Sequence, residues 1–125
     1  RNTGAMTKVL IVDDTSQVRM LVGRYLQAKG YEISEAENGE EGVVAAIADR
    51  PDLILMDLNM PVMDGFKATQ EIKSKPTLKD VPIIALTAEA DTESRQAIYE
   101  AGCDAFVSKP IDFKLLMTKI EAQVI

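Results

Sequence analysis

Two segments, Val9-Leu10-Ile11-Val12 and Leu53-Ile54-Leu55-Met56, carry an apolar side chain at every position. Each is short for a helix, and successive side chains of a strand point to opposite faces. A strand with no polar alternation must be covered on both sides, which antiparallel sheets open to water on one face do not require. Two such runs in one chain therefore call for a sheet enclosed between layers of helix.

The rest of the chain fits that demand. Strand-like runs at residues 9–12, 32–36, 53–56, 83–86 and 105–107 alternate with five helix-length segments, without repeats or Gly/Ser-rich linkers. In the first helix Val18, Leu21, Val22, Tyr25 and Leu26 form one apolar stripe, with Thr15 or Ser16 as cap and Gly30 beyond its end. Phe113, Leu116, Met117 and Ile120 repeat the pattern in the last helix, capped by Asp112. The middle helices are expected over residues 40–48, 66–74 and 93–101. The last of these has so few large apolar residues that it is expected to be the most mobile. Five βα units with right-handed crossovers predict an α/β fold, a three-layer doubly wound sandwich on a parallel sheet. Ligands in such folds sit beyond the carboxyl ends of the strands.

A length of 125 residues suits one domain, expected over residues 6–125. Residues 1–5, ending Gly4-Ala5 before Met6, resemble the remnant of a cleaved expression tag. The net charge of −6 gives no positive field for tracking a phosphate backbone, so direct nucleic-acid binding is not expected. No apolar run is long enough to span a bilayer, and no secretory signal is evident, so a cytoplasmic protein without membrane insertion is expected. The chain has no histidine, which removes Ser-His and Cys-His catalysis and leaves any metal to oxygen ligands. Cys103 stands alone, and with no base to activate it reads as a packed side chain.

Polar residues gather where the fold places its ligands. Asp13-Asp14 follow the first strand, Asp57 the third, Thr87 the fourth and Ser108-Lys109 the fifth. Taken singly, Asp-Asp reads as a helix cap, and Thr87 and Lys109-Pro110 as a strand end and a turn. Together they put three carboxylates, a hydroxyl and an ammonium on one edge. Clustered carboxylates need a compensating cation, and Lys109 supplies a single charge, so a hard divalent ion suits the remainder. One carboxylate could then act as a nucleophile toward phosphorus, with Lys109 and Thr87 facing the equatorial oxygens.

From Met6 onward the chain resembles the receiver domain of two-component response regulators, most closely the stand-alone chemotaxis type. The resemblance rests on Asp57-Leu-Asn-Met-Pro-Val-Met-Asp-Gly65, the Asp13-Asp14 pair, Thr87-Ala88 and Lys109-Pro110. It implies a flavodoxin-like sheet of strand order 2-1-3-4-5 and Asp57 as phosphoacceptor. It implies Mg2+, with Mn2+ able to substitute, on Asp14, Asp57 and the Asn59 backbone carbonyl, and Asp13 acting through a metal-bound water. Lys109 would pair with Asp57 and then with its phosphoryl group, ahead of a cis peptide to Pro110. Thr87 would swing toward the phosphoryl oxygens, and Phe106, which lacks a tyrosine's hydroxyl, would rotate into the space vacated. Asn59 and Glu89 would flank the path of the hydrolytic water, implying moderate to fast dephosphorylation. The implied partners are a histidine kinase or histidine phosphotransfer protein as donor and a downstream target protein. Pro61 and the Asp64-Gly65 pair also read as a turn into the next helix.

Two other functions share these residues. An aspartate-nucleophile phosphohydrolase would use the same Mg2+ chemistry, but pairs its carboxylates as Asp-x-Asp after the first strand, where this chain has Asp13-Asp14-Thr15. A phosphorylation-independent binding module would not need every site residue intact.

Overall fold

A computed structural model describes residues 7–124 of the chain. The segment 1–5 read as a tag remnant lies outside the described residues. Ten elements alternate strictly: β1 (Lys8–Val12), α1 (Ser16–Ala28), β2 (Glu32–Ala36), α2 (Gly39–Asp49), β3 (Leu53–Asp57), α3 (Gly65–Lys73), β4 (Ile83–Thr87), α4 (Thr92–Ala101), β5 (Ala105–Ser108) and α5 (Phe113–Val124). The strands form one sheet in the order β2-β1-β3-β4-β5, and every pairing is parallel.

The uniformly apolar strands sit where both faces are covered. Every residue of β3 and β4 is buried, as are Val9 to Val12 of β1. Alternate side chains feed two separate cores. Leu10, Val12, Ile54, Met56, Ile83 and Ala85 pack toward Val43, Ala68, Ile72 and Ile98 of α2, α3 and α4. Val9, Ile11, Leu53, Leu55, Ile84 and Leu86 pack toward Val22 and Leu26 of α1 and Leu116 and Ile120 of α5. Full burial of one such side chain stabilises the fold by about 1.5–3 kcal/mol.

Several boundaries differ from expectation, each for a local reason. Asp57, Thr87 and Ser108 are the last residues of β3, β4 and β5 rather than the first residues beyond them, since strand pairing continues through Asp57–Leu86 and Thr87–Ser108. Helices α2, α3 and α4 each begin one residue early, because Asn38, Asp64 and Asp91 cap them by accepting from the backbone N–H groups of Glu41, Lys67 and Ser94. Thr15 occupies the cap position of α1 but makes no side-chain cap bond. In the α1 stripe Val22 and Leu26 are buried and Val18 and Tyr25 half-buried, whereas Leu21 is 51% exposed. The α5 stripe is as expected, with Asp112 accepting from Leu115 N–H at 3.1 Å. Helix α4 buries only Ile98 and Ala101. Cys103 is buried against Thr69, with Sγ 3.8 Å from Oγ1, and burial pushes its thiol up to about 11.

The segment between β3 and α3 is pinned at both ends. Gly65 N–H donates to Leu58 O and Met63 O accepts from Gly39 N–H, each at 3.1 Å. Gly65 is the first residue of α3 rather than a turn residue. A side chain there would meet the Asp57 carbonyl oxygen and, at 2.7 Å, Leu58 Cα. Only glycine lets α3 start this close to the end of β3. Val62 takes the left-handed conformation, φ 71°, at the tip of the segment.

Candidate functional site

Parallel pairing of Val12 with Met56 brings the next residue of each strand, Asp13 and Asp57, side by side. Both are buried, while Asp14 is exposed at the rim. A carboxylate oxygen from each of the three lies within 4.8 Å of the others. Lys109 crosses from the end of β5, its Nζ donating to Asp13 Oδ2 at 3.0 Å and lying 3.5 Å from Asp57 Oδ1. The expected Asp57 contact is therefore present, but the shorter bond is to Asp13. The other Asp13 oxygen accepts from Thr15 N–H at 2.9 Å. This bond closes a local turn before α1 and does not cap the helix, whose cap position is held by Thr15, so the capping expectation for Asp13 is corrected.

Asp57 is the strained member. Burial, then the neighbouring Asp13 charge, pushes its pKa up to about 6, with Asp14 adding to the rise. The Asn59 N–H, 3.2 Å from Oδ1, and the Lys109 charge act the other way without cancelling it. For Lys109, burial alone would lower the pKa. The bond to Asp13 and the charges of Asp13 and Asp57 outweigh it, so the ammonium is held above its ordinary range. Three carboxylates against one ammonium leave an excess of negative charge on hard oxygen donors. Their chemistry and spacing fit a hard divalent cation.

The remaining expected residues surround this cluster. Buried Thr87 donates its hydroxyl proton to Glu89 O and accepts from Glu89 N–H, each at 3.0 Å, and its carbonyl accepts from Lys109 N–H at 2.7 Å. Asn59 and Glu89 are exposed at the rim, and the Lys109–Pro110 peptide is cis. Phe106 is half-buried between α4 and α5. Its ring meets Tyr99 edge-on at 6.3 Å between centroids, and the Arg95 and Lys119 cations lie 5.6 and 5.5 Å from its centroid.

Sequence reasoning missed Arg19 and Glu35. Arg19 reaches back from α1 to donate to the Asp13 backbone carbonyl at 2.6 Å and pairs with Glu35 of β2 at 2.9 Å. A lone arginine on an amphipathic helix reads as a solvated charge, and nothing in its spacing points to the turn.

The model of the response regulator receiver domain matches residues 9–121 of the chain. The transcriptional regulatory protein ResD of Bacillus subtilis is 39% identical over 93% of this chain and 47% of its own length. The polar-differentiation response regulator DivK of Brucella anthropi is 36% identical over 91% of this chain and 93% of its own. The chain thus spans about half the length of several curated relatives it matches. Among solved structures, the chemotaxis protein CheY4 of Vibrio cholerae superposes with a TM-score of 0.91 at 35% identity, covering 95% of this chain and 99% of that one. The receiver domain of sensor histidine kinase PA1611 from Pseudomonas aeruginosa, described with a magnesium ion coordinated in its active-site cleft, gives a TM-score of 0.89 at 32% identity, covering 96% and 98%.

Proposed function

The chain belongs to the response regulator receiver domain family, and from that premise we propose that Asp57 accepts a phosphoryl group from the phosphohistidine of a partner kinase or phosphotransfer protein. The observation that carries the assignment is the position of Asp57: a buried carboxylate ending a central strand, beside two further carboxylates and within 3.5 Å of one ammonium. Burial and the Asp13 charge disfavour the ionised Asp57 when no cation is bound, so a divalent ion that offsets both is favoured beside it. An Asp57 oxygen attacks phosphorus, the N–P bond to the donor imidazole breaks, and the product is an acyl phosphate. Asp14, Asp57 and the Asn59 backbone carbonyl would hold Mg2+, with Mn2+ able to substitute and Asp13 acting through a metal-bound water, and the bound ion would supply charge neutralisation for the phosphoryl oxygens. The magnesium described in the PA1611 receiver supports this choice of ion.

Lys109 already faces Asp57 and needs little movement to meet a phosphoryl oxygen. Thr87 must release the Glu89 carbonyl before it can donate to one. That exchange moves the segment after β4, and Phe106 follows into the space vacated, changing the face formed by α4, β5 and α5. The output is a protein contact with a downstream target, made in the cytoplasm without direct binding to nucleic acid or membrane. Among the described residues no helix is long and apolar enough to cross a membrane. Residues 6–125 act as the receiver unit.

Incubation with acetyl phosphate and Mg2+, followed by intact mass, tests the assignment. One added phosphoryl group is expected on the wild type and none on Asp57→Asn. Undiminished labelling of that variant would overturn it. After removal of the donor, the polar Asn59 and Glu89 positions predict loss of the label well within hours at neutral pH, and persistence for many hours would count against their role.

A further inference from the structure

We propose that Arg19 is a positioning residue for the cation site, holding the Asp13–Asp14 peptide so that Asp14 faces Asp57. The proposal rests on reading the acidic trio as a divalent-cation site. Arg19 touches none of the three carboxylates. Its Nη1 donates to the Asp13 backbone carbonyl at 2.6 Å, and its Nε donates to Glu35 Oε1 at 2.9 Å. The side chain is only 12% exposed, so these bonds are partly shielded from competing water.

The geometry explains why one bond matters. Asp13 N–H donates to Ala36 O at 3.1 Å, so β2 fixes the amide side of Asp13. Its carbonyl oxygen, just past the end of β1, is held by Arg19. That carbonyl lies in the plane of the peptide joining Asp13 to Asp14, and this plane sets the direction in which the Asp14 side chain leaves the backbone. Asp14 is the exposed member of the trio, without the burial that locks Asp13 and Asp57. Glu35 completes the device by keeping the guanidinium over the turn. Partners that orient metal ligands in this way commonly change metal affinity 10–100-fold when removed.

The sign of the effect separates positioning from charge. Arg19→Met removes a positive charge next to an acidic cluster, and electrostatics alone would tighten Mg2+ binding. Positioning predicts the reverse. Calorimetric titration with Mg2+ should show Arg19→Met binding about tenfold more weakly than wild type, with the backbone amide resonances of Asp13 to Thr15 displaced before metal is added. Lys73→Met is the control for general loosening. Lys73 donates to Val81 O at 2.7 Å and to Asp104 Oδ2 at 3.0 Å, at the amino ends of the strands, away from the site.

Wild-type or tighter Mg2+ binding by folded Arg19→Met overturns the proposal, as does an equal weakening in Lys73→Met. Should Arg19→Met not fold, Arg19→Lys and Arg19→Gln replace it. The first keeps the charge without the two-pronged geometry, and the second removes the charge, so that electrostatics alone would again tighten binding. Unchanged affinity in both overturns the proposal, and weakening in both supports it. A wild-type chain that binds no Mg2+ at all refutes the cation-site reading itself, an outcome distinct from failure of the latch alone.

Discussion

Replacing Asp57 by asparagine should make the metal-free protein more stable, and the gain should depend on pH in a defined direction. The folded chain holds the Asp57 proton up to about pH 6, against an ordinary value of 3.8. Between those values the native state binds more protons than the unfolded one, so wild-type stability falls as pH rises from about 4 to about 6. Above pH 6 the full penalty is in place. At about 1.4 kcal/mol per tenfold change in proton affinity, that interval corresponds to an upper bound of about 3 kcal/mol. Asparagine keeps an oxygen for the Asn59 N–H and adds a donor for Asp13, but loses the attraction of Lys109. We therefore expect a gain of about 2 kcal/mol at pH 7.5, shrinking toward zero by pH 4. The chain has no tryptophan, so urea unfolding is best followed by far-ultraviolet circular dichroism. With a denaturant slope of about 1.5 kcal/mol/M, the midpoint should rise by about 1.3 M in chelator at pH 7.5. Mg2+ supplies the second arm. At 100 times its dissociation constant it should stabilise the wild type by about 2.7 kcal/mol and largely erase the variant's advantage. A variant no more stable than wild type in chelator at pH 7.5, or one whose gain grows toward pH 4, would refute the claim that Asp57 carries a burial and repulsion penalty.

Other perturbations test different parts of the site. Lys109→Ala should still bind Mg2+, but Asp57 loses the cation that restrains its pKa. In chelator, the Asp57 carboxyl carbon resonance should therefore titrate above the wild-type value of about 6, and labelling in Mg2+ should give weaker resonance changes along α4. A chelator midpoint at or below wild type would sink this reading. Gly65→Ala forces a side chain against backbone at the end of β3, and should cost about 1–3 kcal/mol and slow labelling. Gly30→Ala, where nothing lies within 4 Å but φ is +95°, should cost about 1 kcal/mol and leave labelling unchanged.

The fold was legible because its strongest signal is also its most physical one. Uniformly apolar strands such as residues 9–12 and 53–56 demand cover on both faces, and only alternation with helices provides it. The polar strand ends were legible because topology collects them on one edge wherever the boundaries fall to within a residue. Other features were not. Helix starts were placed late because Asn38, Asp64 and Asp91 act through caps that lie outside the apolar stripe. Leu21 matches the α1 period but falls at the margin of its buried face. Gly65 looks like a turn glycine, and its true constraint, contact with the end of β3, is a distance between chain segments that no local pattern encodes. Arg19 belongs to the same class, since its acceptor is a backbone carbonyl, and backbone atoms leave no signature in residue types.

The sheet divides the interior into two compartments that share no side chains. Phe106 packs into the one with α2, α3 and α4, while Val22, Leu26, Leu116 and Ile120 fill the other. Substitutions at sites without shared neighbours combine nearly additively. A change that retunes the α1 surface, such as one at exposed Met20 or Leu21, thus has little energetic connection to one at Ile98 or Tyr99. For a lineage of such chains, drift on either side of this wall can proceed without compensating changes on the other. The Asp57 edge, where both compartments end, is the place at which histories on the two sides must agree.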